Sequence, residues 1–303
     1  MIPLELEGKL IGLQLPDGLK RRAAELAREL ESKGYEVIIS ADSCFGACDI
    51  DYRLLEDVDL LLHIAHTPIL KSKKIVYVPY FVDYDTKIEL KIEEKRIALI
   101  STIQYCHKLY EVKEWLESKG YEVELSKGSP RVLYPGQVLG CNYSVLKKTN
   151  AEAIVFIGDG LFHAIGASIY TKKKVYAYNP LNKQLEVVNI ENFIKNRYRK
   201  ISQCFGKNLA GVLVSKKPGQ KRIEIAKKLK KIAKEKNIEA YLVSIDDVTE
   251  EKLLNLPFDF YINTACPRIT YDDSERFSKP IISPQEFEFL LGLKECIELD
   301  EIG

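Results

Sequence analysis

The chain has 303 residues, with 45 Lys and Arg against 44 Asp and Glu, a formal net charge of +1, 46% hydrophobic residues and 29% charged ones. So even a balance excludes a general electrostatic drive toward nucleic acid or anionic lipid, and the length suits two or three globular domains. No apolar run approaches the ~20 residues of a membrane span, and Met1 to Gly8 lacks a basic stretch followed by an apolar core, so the chain reads as soluble and cytosolic without a secretory signal.

Lys9 to Gln14 is a short apolar run that reads as a strand, broken by Leu15-Pro16-Asp17-Gly18. A helix is expected over Leu19–Ser32, with Ala23, Leu26, Ala27 and Leu30 on one face and Gly34 as its stop. Tyr35–Ser40 reads as a second strand, Asp59–Ile64 as a third and Lys74–Pro79 as a fourth, with a helical turn near Tyr52–Glu56 between the second and third.

The pattern then restarts. Glu31-Ser32-Lys33-Gly34-Tyr35-Glu36-Val37 returns as Glu117-Ser118-Lys119-Gly120-Tyr121-Glu122-Val123, an offset of 86, and Lys95–Ile100 stands at the same offset from the first strand. Two matches at one offset are an internal repeat. The third strand returns as Ala153–Gly158 at an offset of 94, which places an insertion of about eight residues around Pro130–Gly140. Lys174–Tyr178 is the fourth strand, and Glu191–Arg199 is a charged helix leading to a fainter third unit. Its strands are Leu209–Val214, Ala240–Val243, Asp259–Asn263 and Lys279–Ile282. Its helix, Arg222–Lys236, turns Ile225, Leu229, Ile232 and Ala233 inward and presents its lysines as a solvated face. The expected fold class is α/β: three repeated βαβ-type domains, 1–93, 94–200 and 201–303, with parallel sheets arranged around a central site.

Seven cysteines are an odd count, and in a cytosolic chain of this size they are not a disulfide framework. One cysteine per unit lies in a turn-rich segment near a strand end: Cys48 in Phe45-Gly46-Ala47-Cys48-Asp49, Cys141 in Pro135-Gly136-Gln137-Val138-Leu139-Gly140-Cys141, and Cys266 in Ala265-Cys266-Pro267-Arg268. Loops beyond the carboxyl ends of parallel strands are where α/β folds bind ligands. Three thiolates suit an iron–sulfur cluster with one open iron, while zinc held by three Cys and a His such as His163 is the competing reading. Cys44 and Cys48 form C-x3-C, but Asp51 stands where the common radical S-adenosylmethionine signature has its third cysteine, so Cys44 is spare. Cys106, Cys204 and Cys296 read as buried small hydrophobes. Gln14, Asp17, Asp159 and His163 are candidate pocket residues by their strand-end positions, and His63 and His66 end another strand.

These motifs, with Gln14-Leu15-Pro16-Asp17-Gly18-Leu19 and Gly158-Asp159-Gly160 followed by Phe162-His163, run in order from about residue 10 to residue 285. Together they resemble the archaeal diphthamide-biosynthesis family of 2-(3-amino-3-carboxypropyl)histidine synthases. The resemblance implies a radical S-adenosylmethionine enzyme of unusual signature, with a [4Fe–4S] cluster on Cys48, Cys141 and Cys266. It implies transfer of the 3-amino-3-carboxypropyl group of S-adenosylmethionine to the imidazole C2 of a histidine on translation elongation factor 2. It further implies a homodimer, an external electron donor, and no nucleic-acid or membrane partner. Gln14, Asp17, Asp159 and His163 become the candidates for binding S-adenosylmethionine. A quinolinate synthase-like cluster enzyme shares the three-unit architecture, and a non-catalytic partner subunit of the same pathway is the remaining alternative.

Overall fold

The computed structural model describes residues 5–70 and 72–302. Its strands form three sheets. The first, in spatial order β2-β1-β3-β4, consists of β1 (Leu10–Gln14), β2 (Glu36–Ile39), β3 (Leu60–Ile64) and β4 (Ile75–Val78). The second is β6-β5-β7-β8-β9, from β5 (Arg96–Ser101), β6 (Glu122–Glu124), β7 (Ala153–Ile157), β8 (Lys174–Asn179) and β9 (Gln184–Val187). The third, β11-β10-β12-β13, repeats the first order with β10 (Leu209–Ser215), β11 (Glu239–Ile245), β12 (Phe260–Asn263) and β13 (Ile281–Ile282). All pairings are parallel except β8 with β9. The three-sheet α/β class expected from the repeat is therefore the one observed.

Strand registers refine that repeat. Leu10 faces Glu36 and Arg96 faces Glu122, which keeps the offset of 86. Ile11 faces Leu60 and Ile97 faces Ala153, so the offset after the insertion is 93 rather than 94. A one-residue slip would turn every side chain to the opposite face, so the register is decided by packing. The β9 hairpin was not expected: Gln184–Val187 is short and mostly exposed, so it carries little apolar periodicity.

Each sheet is covered on both faces, which is why its strands read as continuous apolar runs rather than alternating ones. On β5, Ile97 and Leu99 enter one cluster with Leu109, Val112 and Leu116, while Ala98 and Ile100 enter the other with Ala164 and Ala167. The helix expected over Leu19–Ser32 begins as a 3-10 turn, Asp17–Arg22, because Pro16 offers no capping side chain; the α-helix runs Ala23–Ser32. In the helix Ile223–Glu235 the inward stripe is Ala226, Leu229 and Ala233, whereas Ile225, expected inward, is 40% exposed.

The helix Glu191–Ser202 packs on the third sheet through Arg197. That guanidinium is buried and bonds both Glu286 oxygens at 2.7 and 2.8 Å, the Thr270 carbonyl at 2.7 Å, Ser274 Oγ at 3.0 Å and the Ile281 carbonyl at 3.1 Å. All five donors are used, which is what makes a buried arginine tolerable.

Candidate metal centre

The three candidate thiols sit beyond strand ends of three different sheets, each in a loop fixed by backbone and side-chain bonds. Cys48 follows β2. Asp49 N–H bonds the Gly46 carbonyl at 2.9 Å, and the Gln14 amide donates to the Asp49 carbonyl at 2.8 Å. Cys141 occupies the tip of a tight turn in which Leu139 and Asn142 exchange backbone bonds at 3.0 Å. That turn is closed by a distant segment: Ile302 N–H bonds the Cys141 carbonyl at 2.8 Å, Asn142 Nδ2 the Ile302 carbonyl at 3.1 Å, and Tyr143 N–H the Glu301 carboxylate at 2.8 Å. Cys266 follows β12 and precedes the short helix Pro267–Tyr271; Asn263, wholly buried, holds its carbonyl at 2.9 Å.

Cross-unit contacts bring the loops together. Gln220 Nε2 from the third unit donates to Cys48 Sγ at 3.2 Å. A Cβ on Gly219 would lie 2.6 Å from the Cβ of Cys48, so only glycine lets these backbones approach. Arg131 from the second unit donates to the Gly219 carbonyl at 3.2 Å. A Cβ on Gly140 would meet the Phe162 ring at 2.6 Å and Arg268 at 2.7 Å, while the Arg268 guanidinium stacks 4.4 Å from the Phe162 ring centre. Lys217 joins the third unit to the Cys48 loop, 2.7 Å from both Asp49 and Asp247.

The electrostatics tie the thiols into one site. Burial pushes all three up, Cys141 to about 11. Cys48 and Cys141 each raise Cys266 further by like-charge repulsion, so the three sulfurs share one environment. Arg131 opposes the shift at Cys48 and Cys141, and Arg268 opposes it at Cys266. Yet the three sulfurs do not all lie within 4.8 Å of one another. A single zinc with ~2.3 Å bonds requires sulfurs roughly 3.8 Å apart. As they stand the sulfurs are not gathered as tightly as one zinc ion takes, and three thiolates are the donor set of an iron–sulfur cluster with one open iron. The donor set fits too: Arg131 Nε is buried with no partner, a donor left over beside thiols that become anionic once they bind metal.

The other residues singled out in the sequence scatter around this centre. Gln14 is buried, and its amide is bonded at both ends: Nε2 donates to the Asp49 carbonyl, and Oε1 meets the Asp51 N–H at 3.3 Å and His63 Nδ1 at 2.8 Å. Asp17 is half exposed and pairs with Lys20 at 2.7 Å. Asp159 is exposed beside Tyr105, whose hydroxyl is pushed up by burial and by this carboxylate. His163 stacks on Phe156 with ring centres 6.0 Å apart, and burial, with Arg268 adding, lowers it to about 3. Cys106 and Cys204 are buried, donating to the Ile103 and Lys200 carbonyls at 3.4 and 3.5 Å. Cys44 is buried against His63 and His66.

Sequence reasoning missed Arg131, Lys217, Gly219 and Gln220. Pro218-Gly219 follows β10 as Pro16-Asp17-Gly18 follows β1, and that correspondence was the available signal. Arg131 lies in the insertion, where nothing in the repeat points to it.

The relatives agree with this geometry. The model of the diphthamide synthesis protein family matches residues 15–301. A curated 2-(3-amino-3-carboxypropyl)histidine synthase from Pyrococcus horikoshii is 40% identical over 97% of this chain and 89% of its own length. One from Methanocaldococcus jannaschii is 28% identical over 95% of this chain and 86% of its own length. The crystal structure of Dph2 from Pyrococcus horikoshii with a 4Fe-4S cluster superposes with a TM-score of 0.90 at 38% identity, covering 98% of this chain and 90% of that one. On sequence and on fold alike, this chain belongs to the diphthamide synthesis protein family.

Proposed function

We propose that this chain is a 2-(3-amino-3-carboxypropyl)histidine synthase. It transfers the 3-amino-3-carboxypropyl group of S-adenosylmethionine to the imidazole C2 of a histidine on translation elongation factor 2, as a cytosolic homodimer fed by an external electron donor. The observation that carries this reading is the meeting of Cys48, Cys141 and Cys266, one from each sheet, beside Arg131 and Gln220. When bound, a [4Fe–4S] cluster supplies the electron that breaks the bond between sulfur and the methionine Cγ, leaving methylthioadenosine and a carbon radical.

The chain's own residues do the rest. Three thiolates hold the cluster and leave one iron open. Gln220 and Arg131 stand where their N–H groups face sulfur, which moderates its charge. Gln14, Asp17, Asp159 and His163 are the candidates for the cosubstrate, His163 as a neutral imidazole. Gln14 also fixes the Cys48 loop through its bond to the Asp49 carbonyl. Units 1–93, 94–200 and 201–303 each bring one thiol, so the site exists only when the three are packed together.

The deciding experiment is anaerobic. The iron- and sulfide-reconstituted protein is given dithionite and S-adenosylmethionine, and products are separated by chromatography. Methylthioadenosine with 2-aminobutyrate or homocysteine sulfinate is expected. 5′-Deoxyadenosine, or no cleavage by a cluster-loaded protein, would overturn the reading. Cys48→Ala, Cys141→Ala and Cys266→Ala are each expected to lose the cluster; full iron content in any of them removes that residue from the ligand set.

A further inference from the structure

Cys44 lies four residues before Cys48 but meets different partners. Its Sγ and one ring nitrogen each of His63 and His66 all lie within 4.8 Å of one another, with Cys44 and His63 buried and His66 partly so. We propose that Cys44, His63 and His66 form a second metal site for a single borderline divalent cation such as zinc, separate from the three loop thiols and independent of the transferase reading.

The hydrogen bonds fix which ring nitrogens can turn to a cation. Gln14 Nε2 donates to the Asp49 carbonyl, so the Gln14 oxygen 2.8 Å from His63 Nδ1 is an acceptor. His63 Nδ1 must then carry the ring proton, so Nε2 accepts the hydrogen bond from His66 Nδ1–H at 2.9 Å; a cation would replace that bridging proton, His66 carrying its own proton on Nε2 instead. A ligating histidine held by its other N–H is the usual arrangement around bound metals. Burial keeps both histidines neutral, His63 at about 3 and His66 at about 4. One thiolate and two imidazoles are ligands suited to zinc, with a fourth position open. On binding, the sulfur–metal bond forms as the Cys44 thiol proton leaves to solvent; no electron moves.

Two further observations mark the cluster as built rather than incidental. Ala65, between the two histidines, has φ of +69°, a left-handed conformation unfavourable for any residue with a Cβ. The second unit grips the same turn, Gln137 donating to Thr67 Oγ1 at 2.9 Å. The fold does not require these polar groups either. In strand register Gln14 and His63 face each other, and the corresponding facing pair in the second sheet is Ile100 with Phe156. A purely apolar pair therefore closes the same scaffold.

The test uses the full chain with Cys48, Cys141 and Cys266 replaced by Ser, stripped of metal and titrated with Co2+ and then Zn2+. About one equivalent of cobalt with a thiolate-to-cobalt absorption band, displaced by zinc, is expected. Cys44→Ser should abolish the band, His66→Gln should weaken binding more than tenfold, and Gln14→Leu should weaken it ~10-fold. No thiolate band in the parent chain, or one that survives Cys44→Ser, overturns the proposal. Should the triple-serine chain fail to fold, zinc per chain in the iron-loaded protein with and without Cys44→Ser decides: equal zinc in both, or none in either, overturns it.

Discussion

Two buried polar clusters in this molecule are built to opposite rules. Behind the third sheet, Arg197 and Glu286 close on themselves, and every guanidinium donor has a named acceptor. At the carboxyl edge of the first sheet, Gln14, His63 and Cys44 are also buried and His66 partly so, but their bonds run outward into the Cys48 loop and bring a thiol and two imidazoles face to face. The first arrangement can only hold the fold. The second gathers three side chains that can ligate a metal, two of them joined by one exchangeable proton that a cation can displace.

The contrast is sharpest at Arg197. Arg197→Met with Glu286 kept should cost about 3–5 kcal/mol in urea unfolding, because it strands a buried carboxylate. Adding Glu286→Leu should recover a large part of that loss. If the single change is nearly neutral, the network does not serve stability as described. Next is Gln14→Leu, which leaves the Asp49 carbonyl and the His63 N–H without their partner, each about 1–3 kcal/mol. Iron per reconstituted chain should fall with it, whereas Leu213→Met, the same strand position in the third unit, should cost less than about 1.5 kcal/mol and leave iron unchanged. Gly219→Ala forces a Cβ to 2.6 Å from Cys48; a cost of about 1–3 kcal/mol is expected, with reduced iron retention measured by elemental analysis.

The smallest effect is in acid. His163 sits at about 3, below its ordinary 6.5. Between those values the unfolded chain takes up a proton that the folded one refuses, so stability falls as pH drops from 6.5 toward 3. His163→Phe removes that uptake and should move the acid-unfolding midpoint to lower pH. An unchanged midpoint means solvent reaches the ring freely enough to protonate it in place.

The sheets were legible in the sequence because each is a local motif, strand-helix-strand, repeated with the heptapeptide at residues 31–37 and 117–123 as its marker. The loops that carry the three candidate thiols were legible because glycine and proline flag them. What stayed hidden was whatever crosses between units. Gln220 reaches Cys48 over a separation of 172 residues, and no local pattern says which loops face each other. Nor are the three thiols equivalent within the repeat. Cys48 and Cys141 precede the third strand of their units, while Cys266 follows it, three residues beyond Asn263. Counting on from the facing pairs Leu13–Leu62 and Val212–Ile262, His66 is the residue of the first unit at that same step. The single-residue register slip after the insertion came from matching apolar runs by composition, which cannot distinguish Asp59 from Leu60 as the partner of Ala153.

The turn that presents Cys141 is latched by Ile302, which is translated 160 residues after Asn142. A chain emerging from its amino end therefore carries this thiol in an open loop throughout synthesis of the third sheet. The order of events follows from the order of residues. Cys48 and Cys141 are both made early, yet Cys48 waits for Gly219 and Gln220 and Cys141 for Ile302. The loop around Cys141 is thus a contact made late in the chain's synthesis, although the thiol itself is made early.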